Sequence, residues 1–194
     1  GVDMRVSRGR ALLICTAVVV AFVGLTDGPA MAATAGTERV SVKNDGTQGN
    51  SFSQINSTPV ISDDGRFVAF ESNTADLVAG DTNGQVDVFV RDRQAGTTER
   101  VSASSGGFEG NAASTDPTIS GDGRYVVFFS DATNLVSGDT NGTRDVFLRD
   151  RQAGTTERVN LTNVGGQDNA NTVGPAAVSD NGRYVAFASF SSSM

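Results

Sequence analysis

Six residues of this chain have the chemistry and the spacing to hold a divalent cation. Asp81, Asn83 and Asp87 stand at relative positions 1, 3 and 7 of a short loop, and Asp139, Asn141 and Asp145 repeat the arrangement. Hard oxygen ligands at alternate positions of a tight loop, joined by a backbone carbonyl such as that of Gln85, are how calcium sites are built. Gly84 and Gly142 allow the sharp turn that such a loop needs. The same letters also serve as turn chemistry, with Asn-Gly making the turn and the aspartates capping backbone amides. The residues leave both readings open, with Ca2+ as the candidate cofactor.

Little else in the chain could do chemistry. Histidine is absent, which removes Ser-His-Asp and Cys-His catalysis and histidine-ligated zinc. Glycoside hydrolysis needs only two carboxylates, but no pair stands apart from the many turn aspartates. Tryptophan, the usual sugar-stacking platform, is also missing. The formal net charge is −7 and Lys43 is the one lysine. Nucleic acid and anionic membrane surfaces are therefore not expected partners.

The loops sit inside a repeat. Residues 80–102 and 138–160 are identical at 19 of 23 positions, 58 residues apart. "PVISDDGRFVAFES" from Pro59 returns as "PTISGDGRYVVFFS" from Pro117 and as "AAVSDNGRYVAFAS" from Ala176, while "TERV" opens at Thr37, Thr98 and Thr156. Within a unit the signals are of β type. "RFVAF" is apolar on both alternating faces, Phe67 and Ala69 on one and Val68 and Phe70 on the other, as in a strand buried on both sides. "DVFVRD" is half as apolar, and its Arg91-Asp92-Arg93 predicts cross-strand charge pairs. "TTERVS" is mostly polar. Gly65, Gly123 and Gly182, and then Gly96 and Gly154, stand where hairpins need positive φ.

Each unit thus predicts four short antiparallel strands, with burial falling from the inner strands to the outer. The fold class is all-β, and a β-propeller built of four-stranded antiparallel blades fits it best. A sandwich or solenoid of repeated meanders is the competing architecture. The expected boundaries are a ring-closing outer strand at 37–42, a first blade at 58–102, a second at 116–160 and the start of a third at 174–194. About two and a half blades are present, so the chain reads as partial.

The core "P-x-I-S-x-D-G-R-Y-V-A-F" resembles the WD-like β-propeller repeats of the TolB type. The longer form, with "N-L-V-x-G-D-T-N-G-x-x-D-V-F-V-R-D-R", looks like a version found in exported bacterial proteins. The resemblance covers Thr37 to Ser189. It implies a propeller that binds other molecules, often proteins of the cell envelope, without catalysis. D-x-N-G-x-x-D also resembles the latter part of calcium loops in integrin-type propeller repeats and EF-hands. Those loops carry a further acid two residues upstream, where this chain has Ala79 or Ser137, so the affinity implied is weak.

The N-terminus reads as an export signal. Arg5, Arg8 and Arg10 precede the apolar run from Ala11 to Leu25, and Ala30-Met31-Ala32 supplies a small-x-small cleavage site. The run is shorter than the ~20 residues of a transmembrane helix. Residues 1–32 are expected to be removed, together with Cys15, the only cysteine, leaving a secreted or periplasmic chain of residues 33–194 with no membrane insertion. The expected function is a non-catalytic binding or scaffolding module outside the cytoplasm. Its partner is an unknown protein or an envelope glycan. The alternatives are a fragment of a propeller-based glycoside hydrolase and a purely structural array. The inter-blade loops are the expected contact face, with Asn50, Phe52, Phe108, Asn111 and Asn169 as candidate ligand contacts.

Overall fold

The computed structural model describes residues 36–50 and 58–192, and the backbone of residues 19–21. Strand β1 (Val19–Ala21) pairs antiparallel with β2 (Thr37–Arg39). A four-stranded meander follows: β3 (Val60–Ile61), β4 (Phe67–Ser72), β5 (Asp87–Asp92) and β6 (Thr97–Arg100), hydrogen-bonded in that order. The second meander is β7 (Ser114–Ile119), β8 (Tyr125–Ser130), β9 (Asp145–Asp150) and β10 (Thr155–Arg158), again in sequence order. The third unit contributes β11 (Thr172–Val178) and β12 (Val185–Ser189). The inner strands β7 and β11 begin two residues before the expected starts at 116 and 174. All strand pairs are antiparallel, and the fold is all-β, built of four-stranded propeller blades.

The two-faced strands stack one blade on the next. Val68 and Phe70 of β4 face Val40, Leu77 and Phe89 on the N-terminal side. Ala69, with Val88 and Val90 of β5, faces Val126 and Phe128 of β8 and Phe147 of β9. Val127 and Phe129 then turn toward Ala176, Val178, Val185 and Phe187 of the third unit. Phe70 stacks on Phe89, and Phe128 on Phe147, each at a centroid distance of 5.9 Å. Both pairs are cross-strand partners within one blade, and burying each phenylalanine stabilises by ~1.5–3 kcal/mol.

Burial does not fall steadily outward as the sequence predicts. Every residue of β5 is buried, although it carries Arg91 and Asp92, whereas Ile61 of the innermost strand is exposed. Third strands are hydrogen-bonded on both sides, by the second and the fourth, while the first strand has a hydrogen-bonded neighbour on one side only. The apolar N-terminal run supplies β1, and the rest of that run lies outside the described residues. Among the described residues no helix is long and apolar enough to cross a membrane.

The hairpin glycines have the expected conformations, with φ of 70° at Gly65, 72° at Gly123 and 66° at Gly182. They have a second use. A side chain on Gly123 would fall into the ring of Phe67, 2.6 Å from Cγ, and one on Gly182 would meet the ring of Tyr125. The aromatic that opens the second strand of one blade therefore seats on the hairpin glycine of the next. Arg66 and Arg151 close over the Phe67 ring at 4.7 and 4.4 Å.

Candidate functional site

The loop between β4 and β5 brings Asp81, Asn83 and Asp87 together. Gly84 supplies the turn with φ of 64°, and the backbone N–H of Gln85 donates to Asn83 Oδ1 at 2.8 Å. Asn83 Nδ2 donates to Asp87 Oδ2 and to the Gly110 carbonyl, both at 2.9 Å. Ser102 Oγ donates to Asp87 Oδ1 at 2.6 Å and accepts from the Val88 amide at 3.0 Å.

The positive charge facing these carboxylates is an arginine. Arg100 Nη1, from the end of β6, lies 3.5 Å from Asp81 Oδ1, 3.9 Å from Asp87 Oδ2 and 3.0 Å from Glu109 Oε2. The Asp87 side chain has no exposed surface and Asp81 has 3%. Glu109 also receives the Thr82 amide at 2.9 Å and the Thr82 hydroxyl, closing the loop over the cluster.

The second copy is built alike. Arg158 Nη1 lies 3.3 Å from Asp139 Oδ1 and 3.2 Å from Asp145 Oδ2. Asn141 Nδ2 reaches both Asp145 oxygens, at 3.2 and 3.3 Å, and the Asp168 carbonyl at 2.7 Å. Asn160 replaces Ser102, donating to Asp145 Oδ1 at 2.5 Å and accepting from the Val146 amide at 2.9 Å. Gln167 stands where Glu109 does.

Sequence reasoning misses Arg100 and Arg158 because "TTERVS" reads as a polar outer strand. A signal is present: an arginine follows each loop's last aspartate by 13 residues in both copies.

These donor sets do not fit a calcium cage. In each copy the charge facing the clustered carboxylates, Asp81, Asp87 and Glu109 in the first and Asp139 and Asp145 in the second, is a guanidinium held in place by the fold. The Asn83 amide presents nitrogen, not oxygen, to Asp87. Asp139 Oδ1 is buried without a hydrogen bond, but its near neighbour is Arg158. Among the described residues no group of three or more His, Cys, Asp or Glu side chains is arranged to hold a metal.

Burial, followed by the charge of Asp87, raises the pKa of Asp81 to about 6. Burial also raises Asp87 and Asp139. Elsewhere the opposite holds. Hydrogen bonding from Arg66 holds Asp92 down at about 2, and Arg124 does the same for Asp150.

A pH dependence follows from these shifts. Asp92 and Asp150 contribute stability that is present above the unfolded value near 4 and is lost as pH falls toward 2. For Asp81 the sign is reversed. The folded chain takes up a proton between pH 6 and 4 that the unfolded chain does not, so its burden is relieved on mild acidification. Melting temperature should rise slightly from pH 7 to about 4.5 and then fall steeply toward pH 2. Scanning calorimetry should find the upper limb flattened by Asp81→Asn and the acid limb flattened by Asp92→Asn.

The Arg-Asp-Arg segment reaches further than a cross-strand pair. Asp92 binds Arg66 across the first hairpin at 2.6 Å. Arg91 Nη1 donates to Thr98 Oγ1 at 3.1 Å and to the Lys43 carbonyl at 3.2 Å. Arg93 pairs with Glu38 of β2 at 3.1 Å, as Arg151 pairs with Glu99 of β6 at 2.5 Å.

The loop candidates separate into two kinds. The Asn111 side chain donates to Thr133 Oγ1 at 3.0 Å and accepts from the Thr133 amide at 2.9 Å, so it braces a neighbouring loop. Asn50 takes Asp76 through its backbone amide at 2.9 Å. Asn169 is exposed, and Phe52 lies outside the described residues. Phe108 is 74% exposed at a loop tip, and Val164 at another tip is 88% exposed. The structure also brings up Asp116, which holds φ of 54° at the bulge of β7 and pairs with Arg144 at 2.6 Å. Gly174 repeats that conformation in the third unit.

No family model matches the chain. No curated protein matches it either. Among solved structures it is similar to TolB from Acinetobacter baumannii, with 18% identity, 80% of this chain and 30% of that one covered, and a TM-score of 0.44. It is also similar to hydrazine synthase from Kuenenia stuttgartiensis, with 19% identity, 66% and 35% covered, and a TM-score of 0.39. The chain thus spans about a third of the length of each, and its architecture rests on the sheet order and blade packing described above.

Proposed function

We propose that this chain belongs to an exported, non-catalytic β-propeller whose inter-blade loops bind a protein or an envelope glycan. One observation carries the reading. The charged residues repeated letter for letter are engaged in holding strands and blades together, whereas the loop-tip residues that change from unit to unit are exposed. Phe108 replaces Thr47 and Gly166 at one such position, and Val164 replaces Asp45 and Gly106 at the next. A scaffold with variable, exposed, partly apolar tips is how rigid folds carry binding.

Two measurements test it together. Amino-terminal sequencing of the exported chain should begin at Ala33. A photo-cross-linking amino acid at position 108 or 164 should capture a discrete envelope component, while one at the hairpin residue Gln152 should not. Phe108→Asp should weaken that capture while leaving stability within about 0.5 kcal/mol, as at other surface positions. Equal capture from Gln152, or turnover of a glycan by the purified chain, would overturn the reading.

A further inference from the structure

The two loop clusters repeat almost letter for letter, but another group of side chains breaks the repeat. Glu71 stands where the second unit has Phe129 and the third Ala188. Asp116 opens a bulge where the third unit has Gly174, and it precedes a proline where the first has Thr58. Arg144 stands where the first unit has Val86. These three departures meet. Buried Glu71 accepts the Asp116 amide on Oε2 at 3.2 Å. Arg144 Nη2 donates to Asp116 Oδ2 at 2.6 Å and to Thr115 Oγ1. The Thr115 hydroxyl donates to Asp116 Oδ2 at 3.1 Å. Departures from a local pattern that converge on one point are expected where a fold carries function.

Asp116 is also strained. Among the described residues it is the one non-glycine with a positive φ, whereas Gly174 makes the same bend at 75° at no steric cost. The fold therefore keeps a carboxylate where having no side chain would be easier. Asp116 lines a groove of about 370 Å³ across the first strands of the three units, with Thr58, Val60, Pro117, Thr118 and Pro175 among its walls. It is the only charged residue of that lining. Its side chain is 41% exposed, so an incoming group can reach it. Its described side-chain partners all fall on Oδ2, which leaves Oδ1 for a ligand. Two carboxylates, Glu71 and Asp116, share one guanidinium here, so the site keeps a negative charge.

We propose that this groove receives a lysine side chain of a partner protein. The aliphatic stem of lysine lies along Val60, Pro117 and Pro175, as such stems do on apolar surface. The ammonium, a compact charge with three donors, meets Asp116 Oδ1 and the threonine hydroxyls of the lining. A carboxylate ligand is repelled, and a sugar finds no aromatic platform among these walls. The inference rests on the binding reading above and deepens it by naming the chemistry of the partner. It uses neither Phe108 nor Val164, so the two fail separately.

The test titrates acetyl-lysine methylamide into the full chain and follows the amide resonances of Thr118, Gly174 and Ala176. They should shift saturably, and less so as salt is added. The acetyl-norleucine analogue, which keeps the stem and lacks the charge, should not move them. Asp116→Asn should weaken binding about tenfold, the effect of losing one charged hydrogen bond. Asp116→Gly, the residue of the third unit, should abolish binding while changing Tm by less than about 3 °C, because an exposed ion pair is lost as backbone strain is relieved. Lysine binding without capture at position 108 or 164 would count against the loop tips alone. Shifts that do not saturate, equal shifts with the norleucine analogue, or binding that survives Asp116→Gly would each overturn the proposal. So would a large fall in Tm for Asp116→Gly in a chain that binds no lysine, since Asp116 would then be a structural staple.

Discussion

Replacing Arg100 with leucine is expected to destabilise the fold by about 3–5 kcal/mol, the range for stripping one partner from a buried ion pair. Its guanidinium is the charge that Asp81, Asp87 and Glu109 share. Without it, two aspartates confront each other in a site that already raises the pKa of Asp81 to about 6 by burial. For a chain of this size the loss corresponds to a fall of roughly 10 °C in Tm. Arg158→Leu should behave similarly, since Arg158 faces Asp139 and Asp145. Arg39→Leu is the internal control. Its partner Gln48 is neutral, and its cost should stay below about 1 kcal/mol. Adding Asp81→Asn to Arg100→Leu should recover part of the loss, and thermal melts of the double-mutant cycle measure that coupling. Equal, small effects at all three arginines would remove the cluster from the account of stability.

Gly123→Val is the second large effect. A β-branched residue at φ of 72° is strained by ~1–3 kcal/mol. The added carbons would also enter the ring of Phe67, which is backed by Arg66 and Arg151 and has little room to retreat. Overpacking of this kind adds about 1–3 kcal/mol. Gly121→Val is the comparison. Its Cβ would meet the Asp63 carboxylate, 2.9 Å from Cγ. That side chain is exposed and can swing aside, so the loss should be below ~1 kcal/mol. Denaturant melts of the two variants should therefore differ in midpoint. Coincident curves would show that the hairpin glycine is not the seat of the neighbouring blade's aromatic.

Much of this fold is legible in the amino-acid sequence. A run such as "RFVAF", apolar on both faces, asks for a sheet on each side, and Val68 and Ala69 do face different blades. Asp-Gly and Asn-Gly between apolar runs mark the hairpins, and the glycines carry positive φ as expected. Charged letters mislead where burial is concerned. Arg91 and Asp92 make β5 look half exposed, yet both are buried, because hydrogen-bond partners come from the hairpin before and from the loop after β2. Such partners are distant in sequence, and a pattern of alternate residues cannot show them. For the same reason the six loop residues stand out in the sequence but Arg100 and Arg158 do not. A glycine's service as a seat for Phe67 is equally invisible, since it depends on the angle between two blades.

The most direct test of arginine-locked loops is a calcium titration of the melting curve. With Arg100 and Arg158 as the cations of their clusters, scanning calorimetry in 1 mM calcium and in excess chelator should give superimposable transitions. A calcium site of the weak extracellular kind, with a Kd of roughly 10⁻⁴ M, would instead add about 1.4 kcal/mol per site at that concentration. An upward shift with calcium, smaller with magnesium and abolished by Asp87→Asn with Asp145→Asn, would contradict the arginine lock and restore Asp81, Asn83, Asp87, Asp139, Asn141 and Asp145 as metal ligands.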